Sequence, residues 1–235
     1  MMQRIFIATA ILALSSCKSN EIGNSKDVNP DAIYQEYQVW AAEGDKEAAF
    51  TALFRFGGDA GTTLVLNGNS HVNFDGKLLK ADSSYTMGAY YRAHLPITAS
   101  GEHYWTFTDN NGKTYTNKFA LQKFSLTNLF DKPLLGNDLI LNFEGLPEKE
   151  EVRVYIGDTT SNAKYKEVNT TLAVKNGKII IPAAQMKMLC PGPLKIDITH
   201  SKDIPLAETT QEGGSIYYVY KLATRKALLS QGANL

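Results

Sequence analysis

The chain has 235 residues, with 24 Lys and Arg against 24 Asp and Glu, 43% hydrophobic residues and two Cys. A net charge of zero leaves no basic field for a polyphosphate, so nucleic acid is not an expected partner. Two Cys exclude a disulfide framework, and the length suits either two sandwich-sized domains or one large one.

Arg4 is followed by an apolar run, Ile5 to Leu14, and then by small residues up to Cys17. That is the layout of a signal peptide and its processing site. A membrane-spanning helix needs about 20 apolar residues, and Ser15, Ser16 and Lys18 stop this run well short of that. Leu14-Ser15-Ser16-Cys17 resembles the lipobox of bacterial lipoproteins; the other reading is an ordinary secretory signal with a chance Cys. The resemblance implies that residues 1–16 are removed and that Cys17 becomes the first residue of the mature chain, carrying acyl chains such as palmitate. Loss of Arg4 leaves 23 basic residues against 24 acidic ones, a net charge of −1. Each buried methylene contributes about 0.8 kcal/mol, so two or three chains hold the protein in a membrane through its N-terminal lipid. Lys18, rather than Asp, follows the Cys, which by the same resemblance points to the outer membrane; the periplasmic or cell-surface side stays open.

Residues 17–30 are polar and short of large apolar side chains, and are expected to form a lipidated tether. Beyond them, Ala49–Phe56, Thr63–Leu66, His103–Thr108 and Thr114–Leu121 are short, aromatic and β-branched, the signature of strands. Asp75-Gly76 and Asn111-Gly112 accept positive φ and predict tight hairpins. Glu151–Gly157, Leu194–Thr199 and Ser215–Leu222 are further strands. One short helix is expected over Pro182–Leu189, with Pro in the first turn and Pro191-Gly192 at its end. The fold class is therefore all-β: two tandem immunoglobulin-like β-sandwich domains, 31–123 and 124–224, with the helix in the second and a C-terminal tail at 225–235.

The run from Gly101 to Tyr115, Gly-Glu-His-Tyr-Trp-Thr-Phe-Thr-Asp-Asn-Asn-Gly-Lys-Thr-Tyr, resembles the final hairpin of bacterial immunoglobulin-like and PKD-like domains. His103 stands where that family has Tyr, which departs from its corner hydrogen bond. Gly61–Leu64 with Val72–Leu78 is similar to a domain of uncharacterised exported lipoproteins. The resemblance covers about residues 45–121; for the second domain it rests on the strand–helix–strand order from Lys178 to Thr199. It implies a fold, and such folds host many functions.

The sequence shows no catalytic constellation. Gly68-Asn69-Ser70-His71 only grazes the nucleophile elbow, and His71, His94, His103 and His200 are scattered, without zinc spacing. Gly57-Gly58-Asp59-Ala60-Gly61 lacks the Lys-Ser/Thr of a phosphate loop. Cys190 has no His close in sequence and reads as a small buried apolar group. No cofactor is expected. If the loops Gly57–Gly61 and Asp109–Lys113 share one end of a sandwich, Asp59, Asp109, Asn110 and Asn111 converge as a weak Ca²⁺ candidate. Tight turns, however, want those residues anyway, and Lys113 opposes a cation. Asp158-Thr159-Thr160 resembles the sequon of a bacterial O-glycosylation system, making Thr159 a possible glycan site, or an ordinary loop residue.

Aromatic residues are the remaining lead, since flat Tyr and Trp faces stack on sugar rings. Tyr34, Tyr37 and Trp40, Tyr90 and Tyr91, and Tyr217, Tyr218 and Tyr220 are the candidates; alternation puts Tyr218 and Tyr220 on one face and Tyr217 on the other. The expected role is a non-enzymatic, lipid-anchored envelope protein presenting two sandwiches to a protein or glycan, with the ligand site itself unassigned. The rival is a polysaccharide-degrading enzyme or accessory subunit with an unrecognised carboxylate pair.

Overall fold

Period-two alternation of apolar side chains governs the chain, and in a computed structural model nearly all of its regular structure is β. The structure describes residues 18–98, 101–128, 133, 135–158 and 167–230, without the side chain of Asp158. Residues 1–16, expected as a signal peptide, and the expected sites Cys17 and Thr159 lie outside the described residues.

In chain order the strands are β1 (Ile22–Asn24), β2 (Ile33–Ala42), β3 (Glu47–Phe56), β4 (Thr62–Val65), β5 (His71–Phe74) and β6 (Lys77–Leu78). They continue as β7 (Ala81–Ser84), β8 (Gly88–Pro96), β9 (Glu102–Thr108), β10 (Thr114–Ala120), β11 (Ser125–Leu126) and β12 (Leu139–Glu144). The last six are β13 (Glu151–Asp158), β14 (Glu167–Ala173), β15 (Lys178–Ile181), β16 (Gly192–Pro205), β17 (Gly214–Lys221) and β18 (Arg225–Leu229). The expected helix is a single turn, α1 (Ala183–Met186), entered through Pro182. No helix among the described residues is long and apolar enough to cross a membrane.

An 11-stranded sheet runs β1-β4-β3-β2-β17-β16-β13-β14, with β7, β8 and β18 paired onto it. Two small sheets, β10-β9-β5-β6 and β11-β12-β15, lie over its inner face. The fold is thus a β-sandwich in which one large sheet forms a layer common to both halves. Over the first half, Tyr37 of β2 stacks on Trp105 of β9 with ring centroids 4.8 Å apart, and Phe54 meets Phe107 at 4.5 Å. Over the second, Phe124 packs on Tyr220 at 5.4 Å and on Phe143 at 5.8 Å. The halves meet within the large sheet because β17 pairs with β2 in parallel, Gly214 opposite Gln35 through Lys221 opposite Ala42.

Two expectations are corrected. The polar stretch expected as a tether is folded from Lys18 onward, since β1 adds in parallel to β4 with Ile22 opposite Thr63. The Ser19 N–H donates to the Ala60 carbonyl at 2.8 Å, and fully buried Ser25 receives and gives hydrogen bonds at Asn67. A polar composition prevents a segment from building its own core, but its backbone can still complete another strand's ladder. The expected C-terminal tail likewise begins as a strand, β18, which pairs with β16 and buries Ala227 and Leu229.

The Asp75-Gly76 turn is the two-residue hairpin its composition predicts, with φ of 49° and 76°. Asn176-Gly177 makes an equivalent turn, at 51° and 68°. No atom lies within 4 Å of where a Cβ on Gly76 would sit, so a side chain there meets only backbone strain. Gly76→Val is therefore expected to lower unfolding stability by about 1–2 kcal/mol without changing the fold, read by urea denaturation.

Candidate functional site

Alternation along β2 sends Ile33, Gln35, Tyr37, Val39 and Ala41 inward and leaves Tyr34, Glu36, Gln38 and Trp40 on the outer face of the large sheet. On the neighbouring β17, Ser215 and Tyr217 share that face, Tyr217 standing opposite Gln38. On β16, Asp203 stands opposite Tyr217. Together with Lys18 and Asp59 they line an open groove of about 570 Å³. Trp40 is 48% exposed, and its ring meets Tyr217 edge-on at 6.0 Å. A mainly apolar depression of about 420 Å³, floored by Ala42, Ala49 and Val219, opens on the other flank of Trp40.

A chain of polar contacts fixes the groove floor. Gln38 donates to Glu36 Oε1 at 2.7 Å and accepts from the Trp40 indole N–H at 3.4 Å, so the indole is oriented by its neighbours on the same strand. Arg55, which is only 4% exposed, donates through Nε to Glu36 Oε2 at 3.0 Å and through Nη1 to the carbonyls of Ser19 and Gly61. Lys18 reaches Glu36 Oε1 at 3.2 Å. Burial pushes the Glu36 carboxyl up, but hydrogen bonds from Gln38 and Arg55 and the charges of Lys18 and Arg55 outweigh it and hold the group below its ordinary range. Glu36 is therefore a fixed anion at neutral pH.

The structure sorts the aromatic candidates. Tyr34, Trp40 and Tyr217 face the groove, whereas Tyr37, Tyr91, Tyr218 and Tyr220 are core residues. Tyr90 is nearly buried and donates to Asp82 at 2.9 Å. The alternation in Tyr34-Gln35-Glu36-Tyr37-Gln38-Val39-Trp40 holds the signal that separates Tyr34 and Trp40 from Tyr37. Lys18, Glu36, Gln38, Arg55, Asp203 and Ser215 carry no motif, and only the pairing of β2, β17 and β16 makes them neighbours.

The four Ca²⁺ candidates are not brought together. Asp109 is buried and accepts from the Asn111 and Lys113 amides of its own turn, both at 2.9 Å. Asn110 accepts from the backbone of Asn69 and Ser70, while exposed Asp59 lines the groove on the outer face. Turn geometry uses these oxygens, as Asp and Asn side chains do in tight loops. Among the described residues no group of three or more His, Cys, Asp or Glu side chains is arranged to hold a metal. His103 contacts Asp75 Oδ2 at 2.8 Å, and Asp75 also accepts the Tyr104 N–H. Cys190 is unpaired and only part-buried, less enclosed than expected.

Glu36 gives a pH signature. Its folded pKa lies below the ordinary value of 4.5, so the unfolded chain takes up the proton first as pH falls. The stabilisation it contributes is complete above about pH 4.5 and is lost as pH drops through the folded pKa. Glu36→Gln is expected to remove that part of the acid limb and to cost about 3 kcal/mol at pH 7, because Arg55 is left buried without its counter-ion. Denaturant titrations of both proteins between pH 3 and pH 7 check this; a parallel acid limb in the variant contradicts it.

No protein-family model matches the chain, and no curated protein matches it. Among solved structures it is similar to the Bacteroides ovatus mixed-linkage glucan utilization locus SGBP-B in complex with mixed-linkage heptasaccharide, at 10% identity and a TM-score of 0.18. That overlap covers 79% of this chain and 53% of the other, so the chain spans about half of that protein's length. It is also similar to the central fibronectin-III array of RIM-binding protein, at 11% identity and a TM-score of 0.21, over 86% of this chain and 71% of that one. At TM-scores this low the likeness carries nothing about a ligand, and the site is read from its own geometry.

Proposed function

We propose that the protein is a non-enzymatic lipoprotein of the outer membrane that holds an uncharged glycan in the groove beside Trp40. The observation that carries this reading is the half-exposed indole of Trp40, oriented by Gln38 and set against Tyr217 above a polar floor. A sugar ring offers an apolar C–H face to an aromatic ring and hydroxyls to neighbouring amides and carboxylates, and the groove supplies both kinds of partner. Glu36, Asp59 and Asp203 outnumber Lys18 and the Arg55 that backs Glu36, a balance that disfavours acidic polymers.

The hydrolase alternative asks for a carboxyl kept protonated near neutral pH beside a second, ionised one. Glu36 does not supply the protonated member, and both of its oxygens are already taken by Gln38, Lys18 and Arg55, which favours binding over bond cleavage. Anchoring rests on the lipobox at Cys17.

Trp40→Ala is expected to weaken glycan binding about tenfold or more, the loss of one stacking contact, while leaving the melting temperature unchanged because the side chain is half in solvent. Calorimetry with neutral and uronic-acid oligosaccharides tests both halves of the reading. Binding that prefers the acidic series, or survives Trp40→Ala intact, overturns it. Cys17→Ser should shift the protein from the detergent phase to the aqueous phase, since the acyl chains supply the membrane affinity. Retention in the detergent phase contradicts the anchor.

A further inference from the structure

The N-terminal segment enters the folded body without slack. Lys18 is paired with Glu36, the Ser19 N–H is bound to Ala60, and the Ser19 carbonyl accepts from buried Arg55. Asn20 Nδ2 donates to the carbonyl of Tyr85 at 2.6 Å, tying this segment to the turn between β7 and β8. Thr63 closes the same junction: its hydroxyl donates to the Glu21 carbonyl at 2.6 Å and accepts the Ala89 N–H at 2.9 Å. Gly88, at φ 70°, has no room for a Cβ, which would fall 2.2 Å from Thr63 Oγ1 and 3.0 Å from the Asn20 carbonyl. The β7–β8 turn is thus held against the first residues of the mature chain by named contacts.

Consecutive Cα atoms are about 3.8 Å apart, so Cys17 lies one peptide unit from a residue already engaged with the fold, and Asn20 follows within roughly 11 Å. A free coil of a dozen residues would instead give the body a leash of about 20 Å. On the surface beside this entry point, Tyr85 is 90% exposed at the tip of the turn and Ile22 is 51% exposed on β1. An aromatic ring with a polar tip suits the headgroup layer, where one end is apolar and the other wet.

We infer that the β7–β8 turn, led by Tyr85, is a membrane-seating foot that rests in the phospholipid headgroup layer holding the Cys17 lipid. This goes beyond the glycan reading but rests on acylation of Cys17. Its occupant is a lipid surface because the chain itself delivers that surface to within three residues of the Tyr85 contact. Lys18 also lines the glycan groove, so the groove opens close to the bilayer plane.

The test uses the full lipidated chain in phosphatidylcholine–phosphatidylglycerol vesicles that carry a headgroup spin-labelled lipid as fluorescence quencher. Trp40→Phe leaves fully buried Trp105 as the background emitter, and Tyr85→Trp in that background places an indole at the turn. The expected result is severalfold stronger quenching in the double variant than in Trp40→Phe alone. A flexible spacer of about 15 residues between Cys17 and Lys18, reaching roughly 20 Å, should reduce it. Equal quenching in the two variants, with the chain still sedimenting with vesicles, overturns the foot and leaves the anchor standing. Quenching that the spacer does not change overturns the role of the short attachment. A chain that fails to sediment with vesicles overturns the anchor and the foot together, and none of these three results touches glycan binding, which is measured on soluble Cys17→Ser protein.

Discussion

Eight residues of β2 lie parallel to eight of β17, and the large sheet exists as one layer only through that pairing. On its inner face it sets Tyr37 over Trp105 of one small sheet and, beside it, Tyr220 against Phe124, which packs on Phe143 of the other, so the two small sheets cover a single continuous floor. On its outer face it sets Tyr34, Gln38 and Trp40 next to Ser215 and Tyr217. Each strand alone exposes one aromatic row with nothing opposite. Paired, they form the walls of a groove.

A buried ion pair secures the same region from outside. Arg55 and Glu36 are both nearly inaccessible, and such pairs contribute conformational definition more than net stability, because desolvation offsets most of their attraction. Here the definition is spatial: the three acceptors of Arg55 lie on β2, on the N-terminal segment and on the loop before β4. A single guanidinium, with its planar fork of donors, therefore fixes the entry of the chain, the groove floor and the Gly61 bend relative to one another.

How far the sequence can be read follows from the range of each interaction. Strands such as β3, β9 and β10 are legible because alternation is local, and the Asp75-Gly76 hairpin because positive φ selects those residues directly. The inward and outward sets of β2 are legible too, once Tyr34, Glu36, Gln38 and Trp40 are read at period two. The β2–β17 contact is not, since Tyr34 and Ser215 meet across 181 residues and no local pattern encodes a parallel neighbour. The segment from Lys18 to Asp27 misleads for a different reason: composition reports its capacity to form a core, while its actual role is to satisfy backbone groups of β4 and Thr63. The convergence expected of Asp59 with Asp109–Asn111 fails because β3 and β4 belong to the large sheet, whereas β9 and β10 belong to a small one.

The long reach of the β2–β17 pair also sets an order of events. Synthesis runs from the N-terminus, so β2 is made and can pair with β3 long before β17 exists. Until then one side of β2 is an open edge with unpaired N–H and C=O groups and an exposed aromatic row, a template for other chains. Closing so large a loop delays the reward of the contact, which makes assembly slow for a chain of this size. The same alignment that builds the groove thus leaves β2 with an open edge while the rest of the chain is being made, a stage at which chaperones rather than the sequence itself give protection.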